Sequence, residues 1–356
     1  MLFKNNKIFM ESKEFYVSIH CLTCNQAAYI VDAMDGFCNQ QTTFPYITFV
    51  VDDASTDGEQ EVIKRYLEDF FENKESSGYK EWETDEACFI YAKHKKNVNC
   101  HFLAIFLKTN YYYKKKDKEH FYKGWEDNVK YVAMCYGDDY WTDPLKLEKQ
   151  VKSLETHPEC SFCVSDYTEY FQNEEKFKEH HFPIDFRGQP ELVLDMEFYL
   201  TGPFFTKDLT VMWLKDALAS SKFFKYDIQS DMPMFFALFT QGKGLLSTDV
   251  FGCYRRQDGG IYAGKDRSPF LRDFFSNIYS ICREDKTRDS QRFVYNFVAP
   301  YALSELISQK GLFVKNCFKY LGFYGVKLLF YKIPQLIVSI LLGKIGIKVK
   351  PDYLRV

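Results

Sequence analysis

The sequence predicts an α/β fold in which a mainly parallel central sheet is flanked by helices, and three observations point there. Apolar strand-like runs alternate with amphipathic helical stretches along the first half of the chain. Strands separated by helices tend to pair in parallel, because each crossover helix carries the chain back to the same edge of the sheet. Two of the runs stop at paired carboxylates, Asp52-Asp53 and Asp138-Asp139, and turn and helix signals follow at once. Carboxylates at the C-terminal ends of strands face the crevice in which open α/β sheets bind ligands.

In chain order, Phe15-Tyr-Val-Ser-Ile-His20 reads as a first buried strand, followed by a helix with Ala28, Val31, Met34 and Phe37 on one face. Tyr46-Ile-Thr-Phe-Val-Val51 is a second strand, and the helix after it buries Val62, Ile63, Tyr66 and Leu67, with Ser55, Thr56 and Asp57 as candidate N-caps. The polar stretch 72–99 reads as an insertion. His101-Phe-Leu-Ala-Ile-Phe-Leu107 resumes the sheet, Lys114-Lys-Lys116 marks a solvated loop, and residues 131–136 form a fourth strand ending at Asp138 and Asp139. A helix opened by Pro144 carries Leu145, Leu147, Val151 and Leu154 inward, and Cys160-Ser-Phe-Cys-Val-Ser165 is a further strand. Residues 173–189 read as a polar loop, 231–240 as a helix, and Val250-Phe-Gly-Cys-Tyr-Arg255 as the end of a strand. From Pro269 onward the pattern is mostly helical.

Composition narrows the function classes. Hydrophobic residues make up 46% and charged residues 27%, which fits a folded protein and neither a disordered chain nor an integral-membrane one. A net charge of -3 supplies no general attraction to nucleic acid. No secretory signal is read in residues 1–14, so a cytoplasmic setting with reduced, mostly buried thiols is expected for the 11 cysteines. Cys21 and Cys24 form a C-x-x-C, but no second pair follows at zinc spacing. Near the C-terminus, 326–349 mixes Leu328-Leu-Phe-Tyr331 and Leu336-Ile-Val-Ser-Ile-Leu-Leu342 with Lys327, Lys332, Lys344 and Lys348. The apolar stretch between Pro334 and Gly343 falls short of the roughly 20 residues a spanning helix needs. A basic amphipathic anchor at the inner face of the membrane and a helix packing on the body or on a second subunit are both open.

The paired carboxylates suggest chemistry on a phosphorylated substrate. Asp138 and Asp139 are hard oxygen ligands suited to Mg²⁺ or Mn²⁺, which also binds phosphate oxygens. Asp52 and Asp53 can accept hydrogen bonds from a base or from ribose hydroxyls beside a helix N-terminus. Trp141, next to the second pair, is a candidate to stack on a sugar ring.

Together, Val17-Ser-Ile-His-Cys-Leu-Thr-Cys-Asn25, Val50-Val-Asp-Asp-Ala-Ser-Thr-Asp-Gly58 and Gly137-Asp-Asp-Tyr-Trp-Thr-Asp-Pro144 resemble the family 2 glycosyltransferases, from about Phe15 to Tyr167 and patchily to Gly260. The resemblance implies a GT-A (nucleotide-diphospho-sugar transferase) fold over residues 15–265, between an N-terminal tail, 1–14, and a helical C-terminal extension, 266–356. It implies an inverting, metal-assisted hexosyl transfer from a nucleotide sugar, a UDP-sugar in the first instance, to a glycan or lipid-linked acceptor of polysaccharide or lipopolysaccharide assembly. Carried over by position, Asp52 and Asp53 would contact uracil or ribose, with His20 and Asn25 lining the same pocket. Asp138 and Asp139 would hold the metal and ribose. Asp231, in Ser230-Asp-Met-Pro-Met-Phe235, would be the general base, with Asp227 as runner-up and a helix N-cap as the bland role. Arg255 and Arg256 would clamp the diphosphate.

Two positions depart from the family pattern. Tyr136 stands where many members have an acidic residue, and Gln257 where relatives often have histidine, so the protein's own share of the metal ligands is small. Two other classes compete with transfer. A nucleotidyltransferase would carry a glycine-rich loop after the first strand, where this chain has His20-Cys-Leu-Thr-Cys-Asn25. A carbohydrate-binding protein or scaffold with a decayed site is the other.

Overall fold

The computed structural model describes residues 15–112, 118–180, 182, 184–201, 206–227, 230–257, 278–298 and 312–344. The Lys114-Lys-Lys116 run, the N-terminal tail and the expected domain boundary at 265/266 lie outside them.

The first half builds a doubly covered sheet. Strand β1 (Val17–Thr23) leads through α1 (Ile30–Cys38) to β2 (Tyr46–Asp52), and α2 (Glu59–Phe70) leads on toward β3 (Tyr79–Glu83), β4 (Ala87–Lys93) and β5 (Cys100–Leu107). After β6 (Tyr131–Met134), the two-residue β7 (Tyr140–Trp141) and α3 (Lys146–Thr156) come β8 (Cys160–Phe171), β9 (Lys176–Glu179), β10 (Glu191–Leu194) and α4 (Met196–Thr201). Then β11 (Met212–Leu214), α5 (Lys215–Ser220), α6 (Asp231–Phe239) and β12 (Lys243–Arg256) complete the sheet. Its path is β10-β12-β8-β11-β6-β1-β2-β5-β4-β3, with β7 on β12 and β9 on β8.

The centre is parallel: β1 pairs in parallel with β2 and β6, and β2 with β5. The flanks are mixed. Strand β11 is antiparallel between β6 and β8, while β8 and β12 are parallel to each other. Every residue of β2 and β5 is buried, as expected for strands covered on both faces. Alternation divides them: Ile47, Phe49 and Val51 join one apolar cluster with Leu103, Ile105 and α6, while Tyr46 and Val50 join the other with α1, α2 and α3.

Several boundaries differ from the sequence reading. The stretch 72–99 is not a plain insertion, because β3 and β4 form an antiparallel hairpin that extends the sheet beyond β5. Strand β9 interrupts the expected polar loop 173–189. The inward face of α1 is Ile30, Ala33, Met34 and Phe37, and Val31 is exposed, since the helix starts later than the apolar pattern suggested. Gly58, with φ 91°, occupies the N-cap position of α2, while Asp57 Oδ1 accepts the N–H of Glu59 in its first turn (3.1 Å) and the Ser55 and Thr56 side chains bond to Glu59 and Asn25. All 11 cysteines are free thiols, nine of them buried.

Candidate active site

The sheet order places a topological switch at β1, with β2 on one side and β6 on the other. At this point the chain departs in opposite directions, and a crevice opens beyond the C-terminal strand ends. Thr23, Asp52 and Met134 end these three strands, so the loops carrying Asn25, Asp52-Asp53 and Asp138-Asp139 converge at one edge. Gly137 makes the convergence possible. A Cβ there would lie 2.3 Å from Thr23 Oγ1 and 2.6 Å from Gln26 Oε1, so only glycine lets the third loop approach the first.

The first two loops are tied by side chains. Asn25, at φ 57°, donates its N–H to Ser55 Oγ (2.8 Å) and accepts at Oδ1 from the Thr56 N–H (2.8 Å). Buried Glu59 accepts from Thr23 Oγ1, from the Gln26 N–H (2.9 Å) and from Ser55 Oγ (2.8 Å). The sequence reading did not mark Glu59. Its only signal was an acid four residues after Ser55 in the first turn of a helix.

Asp52 and Asp53 do different work. Asp53 is buried and accepts from the N–H groups of Tyr111 (2.6 Å) and Tyr112 (3.0 Å) and from Lys118 Nζ (2.8 Å). It therefore shapes the loop beyond β5. Asp52 accepts at Oδ1 from Gln60 Nε2 (2.5 Å) and the Ser55 N–H (3.2 Å), while its buried Oδ2 has no partner among the described residues. Burial pushes the Asp52 carboxyl up from its ordinary value, against these hydrogen bonds. His20 points to the other apolar layer: its Nε2 lies 2.7 Å from Glu126 Oε1 and its ring 4.9 Å edge-on from Tyr122. Burial raises the Glu126 carboxyl, but His20, Ser18 and Lys215 outweigh it and hold the group below its usual range.

In the third loop, Asp139 is buried and accepts the Arg255 N–H at Oδ1 (2.8 Å), and Asp138 Oδ2 accepts from Gln257 Nε2 (3.0 Å). Burial, and then the adjacent Asp138 charge, raise the Asp139 carboxyl well above its ordinary value. A divalent cation would relieve such a like-charge pair. The donor set is hard oxygen and fits Mg²⁺ or Mn²⁺, with Asp138 and Asp139 as the protein ligands. Among the described residues no group of three His, Cys, Asp or Glu side chains comes together to hold a metal.

Three of the expected site residues are engaged by packing within the protein. The Arg255 guanidinium is committed within the protein: Nε donates to the Asp138 carbonyl (2.9 Å), NH1 to Gln172 Oε1 (2.8 Å) and NH2 to Asp32 Oδ2 (2.6 Å). It braces the aspartate loop with three of its five N–H groups. Arg256 is turned to Glu169, donating from Nε (3.0 Å) and NH2 (2.5 Å). Trp141 is a core residue, its Nε1–H donating to the Leu209 carbonyl (2.8 Å), its ring edge-on to Phe37 and covered by Lys146 Nζ at 4.1 Å. A sugar cannot stack there.

Asp231 opens α6 behind the N-cap Ser230, where the partial positive charge of a helix N-terminus favours a carboxylate. Near it lies Asp208, in the short turn Asp208–Thr210, buried and close enough to Asp231 to feel its charge. Burial, then Asp231, then Asp139 raise the Asp208 carboxyl well above its usual value, so Asp208 links the aspartate loop to α6. Neither Asp208 nor Lys207, whose Nζ sits 4.2 Å over the Tyr254 ring, carried a sequence signal. Asp227 is elsewhere, paired to Arg283 at 2.7 and 3.1 Å.

No family model matches this chain. Uncharacterized proteins of Mycobacterium bovis and Mycobacterium tuberculosis are 35% identical to it over 147 residues, which is 41% of this chain and 34% of theirs. The match thus spans about a third of the length of those relatives. Among solved structures, S. aureus TarS 1-349 in complex with UDP-GlcNAc superposes with a TM-score of 0.59 at 12% identity, over 92% of each chain. The same protein with UDP gives 0.54 at 11% identity, again over 92% of each chain. The mostly parallel central sheet, flanked by helices, and these likenesses give the chain a GT-A-like fold, the fold of glycosyltransferases.

Proposed function

We propose that this protein is a nucleotide-sugar-dependent glycosyltransferase of the family 2 type that transfers a hexosyl group with inversion to a hydroxyl of a glycan or lipid-linked acceptor. The observation that supports the reading is the convergence of Asp52 and the Asp138-Asp139 loop beyond the C-terminal ends of β1, β2 and β6, with buried Asp208 feeling the charges of both Asp139 and Asp231. The GT-A-like fold supports the same reading, and the complexes of TarS with UDP-GlcNAc and UDP make a UDP-sugar the first donor to test.

In this mechanism Asp52 meets the nucleoside end of the donor, in a pocket whose walls Asn25, Ser55 and Glu59 hold in place. Asp138 and Asp139 would hold Mg²⁺ or Mn²⁺, which when bound supplies Lewis-acid stabilisation of charge on the departing diphosphate. Asp231 accepts the acceptor hydroxyl proton as that oxygen attacks the anomeric carbon opposite the leaving group. The carbon–oxygen bond to the diphosphate breaks and the nucleoside diphosphate leaves. Arg255 keeps the Asp138-Asp139 backbone in register, acting as a positioning residue. The setting proposed is the cytoplasmic side of polysaccharide or lipopolysaccharide assembly.

The test is donor turnover. Purified protein with Mn²⁺ should bind a UDP-hexose and release UDP slowly in the absence of acceptor. Absence of binding and of release across a panel of UDP-sugars defeats the UDP reading, and absence with GDP- and dTDP-sugars as well defeats the transferase reading. Donor binding with turnover unaffected by Asp231→Asn would remove the assigned base.

A further inference from the structure

The helical segment 312–344 leaves an outer face that the body does not cover. Cys317, Leu321, Gly325, Leu328 and Ile333 turn inward and are buried. Phe323 and Phe330 are 77% and 75% exposed, and Phe318, Val326, Val338 and Leu341 are exposed with them. Single exposed apolar residues are ordinary, but so many on the two helical pieces that meet at Gly322 (φ 49°) mark a surface that meets something.

Charge decides among the occupants. Between residues 306 and 351 the sequence contains no aspartate or glutamate, while Lys315, Lys319 and Lys327 are exposed and Lys332 is half-buried among the apolar positions. In a symmetric contact a second copy would present the same basic surface to itself, lysine toward lysine, with no carboxylate to neutralise it. An anionic lipid surface answers both features. Aromatic and branched side chains enter the boundary between headgroups and acyl chains, and lysines bury their stems while keeping ammonium groups at the phosphates. Among the described residues no helix is long and apolar enough to cross a membrane.

We infer that residues 312–344 dock this protein on an anionic membrane surface, with Phe323 and Phe330 inserted at the interface and Lys315, Lys319 and Lys327 at the lipid phosphates. This goes beyond the transferase reading and does not depend on it, because vesicle binding is measured without donor or acceptor.

The experiment uses the full chain and sedimentation with vesicles of phosphatidylcholine alone or with about one-third phosphatidylglycerol. The protein should pellet with the anionic vesicles and stay in solution with the neutral ones. Reversing Lys315, Lys319 and Lys327 to glutamate should weaken binding by about fivefold or more per site. Phe323→Ser with Phe330→Ser should lower it by at least about tenfold. These positions are exposed, so the thermal midpoint of each variant should match the parent, which separates lost docking from lost folding. Unchanged binding by either variant set overturns the inference. So does failure of the parent to pellet with anionic vesicles, and if light scattering then shows an oligomer that Phe330→Ser dissociates, the face is a protein interface.

Discussion

The backbone N–H of Arg255 donates to Asp139 Oδ1 at 2.8 Å while its side-chain Nε donates to the Asp138 carbonyl at 2.9 Å. One residue at the end of β12 therefore sets the conformation of the loop that follows β6. Its remaining nitrogens are taken by Asp32 and Gln172, so its charge serves the architecture of the site. Arg255→Lys keeps a cation but loses the planar fork that joins three partners. It should lower turnover by about a hundredfold and stability by about 2 kcal/mol, read by donor hydrolysis and chemical denaturation. Turnover equal to the parent's would show that the loop holds itself.

Asp231 and Asp227 are separated by their surroundings. Asp231→Asn should lower kcat by about a thousandfold with donor affinity nearly unchanged, because only the proton acceptor is lost. Asp227→Asn breaks a surface ion pair with Arg283 and should cost less than about 1 kcal/mol, with turnover intact. Steady-state kinetics on the two variants checks the pair of outcomes together.

Glu59 knits the first two site loops from the first turn of α2. Glu59→Ala would leave the Gln26 N–H and the Ser55 hydroxyl without their acceptor and reduce the Thr23 hydroxyl to its bond with Gln26 Oε1 (2.8 Å). A loss of about 2 to 3 kcal/mol in stability is expected, together with weaker donor binding, measured by denaturation and by titration calorimetry. Glu59→Gln keeps an acceptor oxygen and should recover most of both.

Lys146 is a buried cation. Its Nζ lies 2.5 Å from Gln150 Oε1, over the Trp141 ring, and burial pushes its pKa down to about 7. In the unfolded chain the group titrates near its ordinary 10.5. Between those values the unfolded state binds the extra proton, so this group makes stability rise as pH increases from about 7 toward 10.5. Below pH 7 the full cost of burying the charge is present. Lys146→Met should remove that part of the slope and stabilise the protein at pH 6 by on the order of 2 kcal/mol, seen in denaturation midpoints across pH.

Much of the scaffold was legible in the chain. Period-2 and period-3.6 patterns located β1, β2, β5, β6, α2, α3 and α6 within a few residues, because each buries an apolar face whatever its neighbours are. The hairpin β3–β4 was not legible, since Tyr79–Glu83 is largely polar and becomes a strand only by pairing with β4. The edge position of such a strand is a tertiary fact.

For the site, the sequence by itself determined which carboxylates lie at the end of β2 and in the loop after β6 and which one opens α6, since strand ends, turns and caps are local chemistry. Only the tertiary structure decided how those groups are used. It spent Asp53 on Tyr111, Tyr112 and Lys118, Arg255 on Asp32 and the aspartate loop, and Trp141 on the core. It also brought Asp208 against Asp231 and Glu59 against Thr23. The physical reason is that a buried polar group must find a partner, and that partner is chosen by proximity across the fold, at separations no local pattern encodes.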